Sequence, residues 1–189
     1  MRAYRPDPGH LDVERFAADG GQLEGDWPLH SLLRLSAASH VEEPPTDADR
    51  VTWQARGERR RSGGSEVQTW LHLGVAARLV LTCQRCLAGV ETPLAVDRWL
   101  RFVTGEKLAS ELDAESDEDV LASSRSLDLR SLAEDELLLA LPLVPRHAEC
   151  PSPLPTPQEV APADGDLLTD LQRAPSPFAA LAVLKRRAH

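Results

Sequence analysis

The sequence predicts an α+β fold in which an antiparallel β meander is packed by one long helix. Apolar and polar residues alternate over residues 67–83, which is typical of a half-buried strand. Apolar residues recur every three or four positions over residues 128–141, which is typical of an amphipathic helix. Cys83 and Cys86 mark a turn between this strand pattern and another that follows. A sheet with one apolar face, covered by that helix, accounts for all three observations.

The central strand pattern has a neighbouring strand pattern on each side. Residues 51–56 alternate before it, and residues 90–102 alternate after the cysteine turn. Strand patterns that follow one another closely favour hairpins. The segment 58–65 contains two glycines and predicts a flexible hairpin loop, which places the three arginines of residues 59–61 at a loop tip.

The amino-terminal region predicts one short helix and one less regular segment. Residues 11–18 have apolar positions near helical spacing, and two glycines follow as a stop signal. Residues 22–35 mix leucines with a tryptophan and a proline, and we interpret them as a strand or a turn that lays apolar side chains on the sheet.

The long helix has clear signals at both of its ends. Asp128 is a suitable N-cap, and Pro142 stops the helix. Because Pro142 and Pro145 disfavour helical backbone before them, the chain should then continue in an extended path. This path delivers His147 and Cys150 to the place where the helix ends.

The domain organisation predicted from these patterns is one folded unit with a carboxy-terminal tail. Residues 1–150 form a single α+β domain with the Cys-x-x-Cys hairpin. Residues 151–175 contain six prolines and several acidic residues without periodicity, and they predict a linker. Residues 176–189 predict a short helix, with Ser176 as its cap and Pro177 in its first turn.

Composition supports a single core and a cytoplasmic location. The chain has 189 residues, 42% of them hydrophobic, with 15 prolines and only eight aromatic residues. It has no apolar run of about 18 residues, which a membrane span would need, and its amino terminus lacks the apolar stretch of a secretory signal. We therefore expect a cytoplasmic protein without a membrane partner, whose three cysteines stay reduced.

The net charge of −9 conceals an uneven distribution along the chain. Residues 50–101 contain nine arginines against four acidic residues, so the middle third is basic. Residues 111–119 contain six acidic residues and no basic one, and we interpret them as a solvated loop. The acidic residues 134–136 on the long helix are interpreted as a solvated helix face.

The cysteines and one histidine form two pairs with metal-ligand spacing. Cys83 and Cys86 form one pair, and His147 and Cys150 form the other, each with two residues between its members. Two such turns can supply the four tetrahedral ligands of a structural zinc ion. The alternative is that these are reduced thiols at a hairpin, with the histidine capping a helix end.

A catalytic function has little support in the sequence. A thiol oxidoreductase using Cys83 and Cys86 would need a helix after the first cysteine to lower its pKa, whereas a strand pattern follows. The chain contains no Gly-rich phosphate loop, no Gly-x-Ser-x-Gly elbow and no His-Glu-x-x-His pair. We expect no enzyme activity and no small-molecule substrate.

The basic middle third supplies candidate contacts to RNA. Guanidinium groups neutralise phosphates and stack on bases, although arginine clusters are also common as plain surface. The candidate RNA-binding residues are Arg56, Arg59, Arg60, Arg61, Arg78 and Arg85.

Three segments of the chain together resemble a known bacterial family. They are Leu81-Thr82-Cys83-Gln84-Arg85-Cys86, the stretch from Asp128 to His147 that contains Leu141-Pro142-Leu143-Val144-Pro145, and Pro177-Phe178-Ala179-Ala180-Leu181 with the residues up to Lys185. The order and the sequences of these segments resemble those of the YceD family, the large ribosomal RNA subunit accumulation proteins.

The resemblance implies a noncatalytic role in the synthesis, processing or stability of 23S ribosomal RNA, and so in biogenesis of the large ribosomal subunit. The partners that it implies are 23S ribosomal RNA, pre-50S particles or an assembly partner protein. Two alternatives stay open: a thiol oxidoreductase, and a protein-interaction module without RNA contact.

Overall fold

Five strands form one sheet, and they lie in it in the order in which they occur along the chain. The structure is a computed structural model, and it describes residues 6–61 and 67–151. Strands β1 to β4 pair antiparallel, whereas β5 pairs parallel to β4. The predicted α+β class and the antiparallel meander are therefore confirmed. The strands are β1 (Gln22–Pro28), β2 (Arg50–Arg61), β3 (Val67–Thr82), β4 (Gly89–Val103) and β5 (Asp119–Ala122).

Four α-helices and a short 3-10 helix accompany the sheet in the described part of the chain. The helices are α1 (Val13–Ala18), α2 (Leu33–Ala37), α3 (Glu106–Glu115) and α4 (Leu129–Leu139), with the 3-10 helix at Leu29–Ser31. The predicted cap is confirmed, because the Asp128 carboxylate accepts hydrogen bonds from the backbone N–H groups of Arg130 and Ser131 at 3.0 and 3.2 Å. None of the helices among the described residues has the length and apolar character needed to cross a bilayer.

The main core lies between the sheet and two of its helices, α1 and α4. Alternate residues of β2 and β3, such as Val51 and Leu73, point into it, and Leu129 and Leu137 of α4 meet them there. We call this side of the sheet the helix face. At Gly57 the chain needs glycine, because a Cβ atom there would lie 2.8 Å from the backbone of Ala17 in α1. Close packing of α1 on β2 therefore depends on the missing side chain.

The opposite side of the sheet, which we call the second face, is covered at one end by α3. Val120 of β5 pairs with Arg101 of β4, so their side chains point to the same face of the sheet. Val120, Trp70 and Ala109 of α3 are buried but do not belong to the main core. This burial indicates that α3 packs on the second face near β5.

One local prediction is wrong, and two are confirmed only in part. Strand β2 continues to Arg61, so the arginines 59–61 lie on a strand and not at a loop tip. Residues 22–35 form the expected strand up to Pro28 and bring apolar side chains to the core, but they are helical from Leu29 onward. The acidic stretch 111–119 is largely exposed, as predicted, but it consists of the end of α3, a bend at 116–118 and the first residue of β5 rather than one loop. Residues 62–66, the rest of the predicted linker after Pro151 and the predicted helix at 176–189 lie outside the described residues.

The interpretation of residues 134–136 as a solvated helix face is also wrong for two of the three. The side chain of Glu134 is only 12% exposed, and it accepts hydrogen bonds from the backbone N–H groups of Arg34 and Leu35 at 2.7 and 3.1 Å. These are free groups of the first turn of α2, whose own N-cap has no side-chain bond. Glu134 thus holds α2 against α4.

Two buried glutamates of α4 differ in the direction of their pKa shifts. Burial tends to raise the pKa of Glu134, but the hydrogen bonds from Leu35 and Arg34 outweigh burial and lower it. Burial raises the pKa of Glu136, and the ion pair with Arg98, at 3.2 Å, offsets this only in part. The fold therefore favours the ionised form of Glu134 and disfavours that of Glu136.

Replacing Glu134 with glutamine should destabilise the protein at neutral pH by about 1–3 kcal/mol, because charge-assisted hydrogen bonds to α2 are lost. Since the folded pKa of Glu134 is lowered, its stabilisation is present above the unfolded value of about 4.3 and disappears as pH falls through the folded value. The difference between wild type and Glu134→Gln should therefore shrink on acidification below about pH 4. Urea unfolding across this pH range measures it.

Glu136→Gln is the matched control for this prediction, because it is the same change at a buried position of the same helix. The pKa of Glu136 is raised in the folded protein. Replacing its carboxyl group with a neutral amide should therefore destabilise the protein much less at pH 7 than the change at Glu134. Equal losses of stability in the two variants would contradict the assigned role of Glu134.

Candidate functional site

The turn between β3 and β4 presents two cysteines on a tight backbone loop. Cys83 donates its backbone N–H to the carbonyl of Ala88, and Leu87 donates to the carbonyl of Cys83, both at 2.9 Å. Leu87 has a φ of 63°, in the left-handed region that a leucine rarely adopts. The loop therefore holds a strained residue directly after Cys86.

A buried histidine supports this strained turn. The Nδ1 atom of His40 accepts the backbone N–H of Glu42, so its Nε2 atom carries the proton and donates to the carbonyl of Leu87 at 3.1 Å. The backbone N–H of His40 donates to Val80 of β3. His40 thus ties the turn to the sheet, a role that no sequence pattern indicated.

The segment after α4 returns to this turn, as the sequence predicts. Gln84 donates its backbone N–H to the carbonyl of Pro145 at 2.9 Å, which fixes the two segments side by side. The ligand atoms of Cys83, Cys86, His147 and Cys150 all lie within 4.8 Å of one another. All four predicted metal-ligating residues are therefore brought together.

The spacing of these atoms suits a tetrahedral zinc ion. With zinc–sulfur and zinc–nitrogen bonds of about 2.3 and 2.0 Å, tetrahedral ligands lie about 3.8 Å apart for two sulfurs and about 3.5 Å for sulfur and nitrogen. The Sγ atoms of Cys83 and Cys150 are 3.9 Å apart, and Cys86 Sγ lies 3.5 Å from His147 Nδ1. These two distances match a tetrahedral site, and the other pairs of ligand atoms lie within 4.8 Å.

The histidine is oriented for metal binding by a second hydrogen bond. His147 Nε2 lies 2.9 Å from the carbonyl oxygen of Gly89, and since that oxygen can only accept, Nε2 carries the proton. Nδ1 is then unprotonated, and it is the atom that faces the cysteines. Metal-binding histidines commonly have this arrangement, in which the outer N–H is held by a carbonyl group.

The electrostatics of the turn favour a thiolate at Cys83. Burial works against ionisation, but hydrogen bonds from the backbone N–H groups of Cys86, His147 and Arg85 lower the pKa of Cys83 to about 5. Burial, together with the neighbouring Cys86 and Cys83 sulfurs, raises the pKa of Cys150 to about 11. The cysteine turn thus stabilises one thiolate, and ionisation of further cysteines beside it requires a cation.

The turn lacks the helix that activates redox-active cysteine pairs. The chain passes from Cys86 directly into β4, which begins at Gly89. The Cys83 thiolate is instead stabilised by backbone N–H groups of the turn and of His147. This local structure is typical of a metal-binding turn rather than of a catalytic dithiol.

The six candidate RNA-binding arginines do not form one cluster. Strand alternation separates those of β2: Arg56 and Arg60 lie on the second face, whereas Arg59 lies beside α1 on the helix face. Arg61, two residues further along β2, lies on the same face as Arg59. Arg78 is on the second face at the far end of β3, and Arg85 is in the cysteine turn.

The arginines also differ in their ion pairs. Arg60 pairs with Glu58 at 3.3 Å, and Arg78 pairs with Glu91 at 2.9 Å. The remaining four are exposed and form no ion pair with another residue that the structure describes. These four, whose guanidinium groups are available for phosphate, are Arg56, Arg59, Arg61 and Arg85.

An aromatic cluster on the second face was missed in the sequence. Trp70 and His72 of β3 and Trp99 of β4 lie beside Arg60. A signal was available, because Trp70 and His72 stand at even positions of β3, opposite to the leucines and valines at odd positions that form the core. A tryptophan there places a large apolar ring on the face opposite to the main core.

Comparison with known proteins decides the family. The model of the family described as large ribosomal RNA subunit accumulation protein YceD matches residues 71–185, which is more than half of the chain. The chain belongs to the YceD family. The matched part of this YceD chain includes the cysteine turn, α4 and the His147 and Cys150 pair.

One curated relative of the YceD chain is the large ribosomal RNA subunit accumulation protein YceD of Haemophilus influenzae. The two are 33% identical over 107 residues, which is 57% of this chain. The match spans 60% of the relative's length. No solved structure matches the chain.

In metal-free protein that remains folded by circular dichroism, a titration of thiolate absorbance should show one ionisation near pH 5, since the pKa of Cys83 is lowered to about 5. Cys83→Ser should remove this step. Cys150→Ser is the matched control and should keep it, because the pKa of Cys150 is raised. A low-pH step that persists in Cys83→Ser would assign the thiolate to another sulfur.

Proposed function

We propose that this protein is a noncatalytic cytoplasmic factor in the synthesis, processing or stability of 23S ribosomal RNA, and that it supports biogenesis of the large ribosomal subunit. The observation that carries this proposal is membership of the YceD family, whose name refers to accumulation of large-subunit ribosomal RNA. Its partner is 23S ribosomal RNA in pre-50S particles or a protein that assembles with them.

The four-residue cluster is proposed as a closed structural zinc site. Cys83, Cys86, His147 and Cys150 supply four ligand atoms, and two pairs of them lie at the spacing of a tetrahedral site. Four protein ligands would leave no open position for catalysis. Zinc would supply the positive charge that lets the other sulfurs ionise beside the Cys83 thiolate. The ion would join the β3–β4 turn to the segment after α4.

The arginines without ion pairs are proposed as contacts to RNA phosphates. Arg59 and Arg61 lie on β2 with exposed side chains, and Arg56 lies on the opposite face of the same strand. An exposed guanidinium group without an ion pair loses no internal partner when it binds phosphate, whereas Arg78 would have to leave Glu91. The end of β2 is therefore the part of the sheet best suited to RNA.

Purified protein should contain one zinc ion per chain by mass spectrometry, and His147→Ala should reduce the zinc content. The melting temperature should fall strongly on treatment with a chelator, because a structural zinc contributes on the order of 10 kcal/mol in model peptides. His30→Ala is the matched control, since His30 lies at the surface, pairs with Asp47 and is outside the four-residue cluster. Metal-free protein with unchanged melting and a reversible Cys83–Cys86 disulfide would instead favour a thiol oxidoreductase.

Arg59→Glu combined with Arg61→Glu should weaken binding of 23S ribosomal RNA in a filter-binding titration. The dependence of affinity on salt should become shallower by about one unit of logarithmic slope for each lost phosphate contact. Arg78→Ala is the matched control, because its guanidinium is already paired with Glu91. Unchanged affinity would remove the end of β2 from the RNA surface, and a stable complex in nuclease-treated lysate would favour a protein partner.

A further inference from the structure

The second face of the sheet carries a layered cluster of aromatic and cationic side chains. The guanidinium carbon of Arg60 lies 3.8 Å from the ring centroid of Trp99 and 4.6 Å from that of Trp70. Both distances are within the range of cation–π contacts. Trp70 is buried and donates its indole N–H to Gln68 at 3.2 Å, so the base of the cluster is fixed.

The upper part of the cluster remains accessible to a ligand. The Arg60 side chain is 34% exposed although it covers two tryptophans, and Trp99 is only partly buried. His72 lies beside Trp99, with ring centroids 4.8 Å apart, and its Nε2 atom is held by Asp97 at 2.7 Å. The guanidinium is thus a planar cationic group that packs on two indole rings, donates a hydrogen bond to Glu58 at 3.3 Å and remains partly exposed.

A cleft of about 490 Å³ adjoins this cluster on the same face. His72 and Arg56 lie directly across from each other in the pairing of β2 and β3, and both line the cleft. Arg56 is exposed and forms no ion pair with another described residue. The cleft is within the size range of small-ligand sites.

We propose that this cluster is a stacking site for one unpaired base of a single-stranded RNA segment. Arg60, supported by Trp99 and Trp70, stacks on the base, and Arg56 binds its phosphate. The inference rests on the proposed RNA role and specifies the form of RNA that the second face recognises. It does not depend on the zinc site.

The chemistry of the cleft favours unpaired over duplex RNA. Bases in a duplex are stacked on one another and expose no face to a protein, whereas unpaired bases stack on aromatic rings and on guanidinium planes. The hydrogen-bonding edge of such a base is open to protein side chains in addition to its face. Such edges are free only when the base is unpaired.

The acidic residues on this face limit where the RNA backbone can lie. Glu24 lines the cleft, and Asp97 lies beside His72. These carboxylates repel phosphates, so the backbone should follow the end of the sheet with Arg56 and Arg60 and avoid its centre. The proposed site therefore binds one nucleotide and does not extend along the whole sheet.

The test compares single-stranded and duplex RNA on the full-length protein. A short unstructured oligoribonucleotide and the perfect duplex of the same sequence are titrated at matched salt. Arg60→Lys keeps the charge but loses the planar group, so it should weaken single-strand binding about 5- to 150-fold with an unchanged salt dependence. Arg78→Lys is the matched control on the same face and should bind like wild type.

A second variant reports directly on stacking. Trp99→Phe keeps an aromatic ring beneath Arg60, so it should retain binding and lose part of the tryptophan fluorescence quenching that RNA causes in wild type. Equal binding by Arg60→Lys and wild type, or equal affinity for duplex and single strand, would overturn the stacking site. Association of wild type with 23S ribosomal RNA in that case would leave the proposed function standing, whereas no association with pre-50S particles would count against the proposed function itself.

Discussion

The contact between the cysteine turn and the segment that follows α4 is the constraint on which the rest of the site depends. The Gln84 to Pro145 hydrogen bond joins regions that are far apart in the sequence, and ordering them costs loop-closure entropy. The same contact brings the side chains of Cys83, Cys86, His147 and Cys150 together, with their ligand atoms within 4.8 Å of one another. A cation held by these four residues, as proposed above, would add its binding free energy to the contact.

The same constraint positions α4, which is held at both ends. At its beginning, Leu129 donates its backbone N–H to Pro8, and Leu127 pairs with Leu11. At its end, the chain continues to the cysteine turn. Between these points Glu134 satisfies the free N–H groups of α2, so the helix orders the amino-terminal segment as well as the core. Helix α4 therefore connects the cysteine turn, the sheet and α2.

The two faces of the sheet have different physical roles. The helix face is apolar and excludes water, and its burial accounts for the stability of the fold. The second face carries tryptophans, arginines and small residues, with α3 covering only the end near β5. Large rings on a face that the main core does not use favour recognition of a partner over packing.

The sequence alone predicted β2, β3, β4, the long helix and the grouping of the four cysteine and histidine residues, because each depends on local patterns. Period two persists through β2, β3 and β4, the Asp128 carboxylate accepts N–H groups of the first turn of α4, and each pair of candidate ligands has two residues between its members. Tertiary structure decided what local patterns cannot encode. Alternation along β2 split the arginines between two faces, and the N–H groups of α2 made burial of Glu134 favourable. The acidic segment leads from α3 to β5, which pairs with β4. Arg60, Trp70 and Trp99 come from three strands, and only their pairing in the sheet brings these side chains into contact.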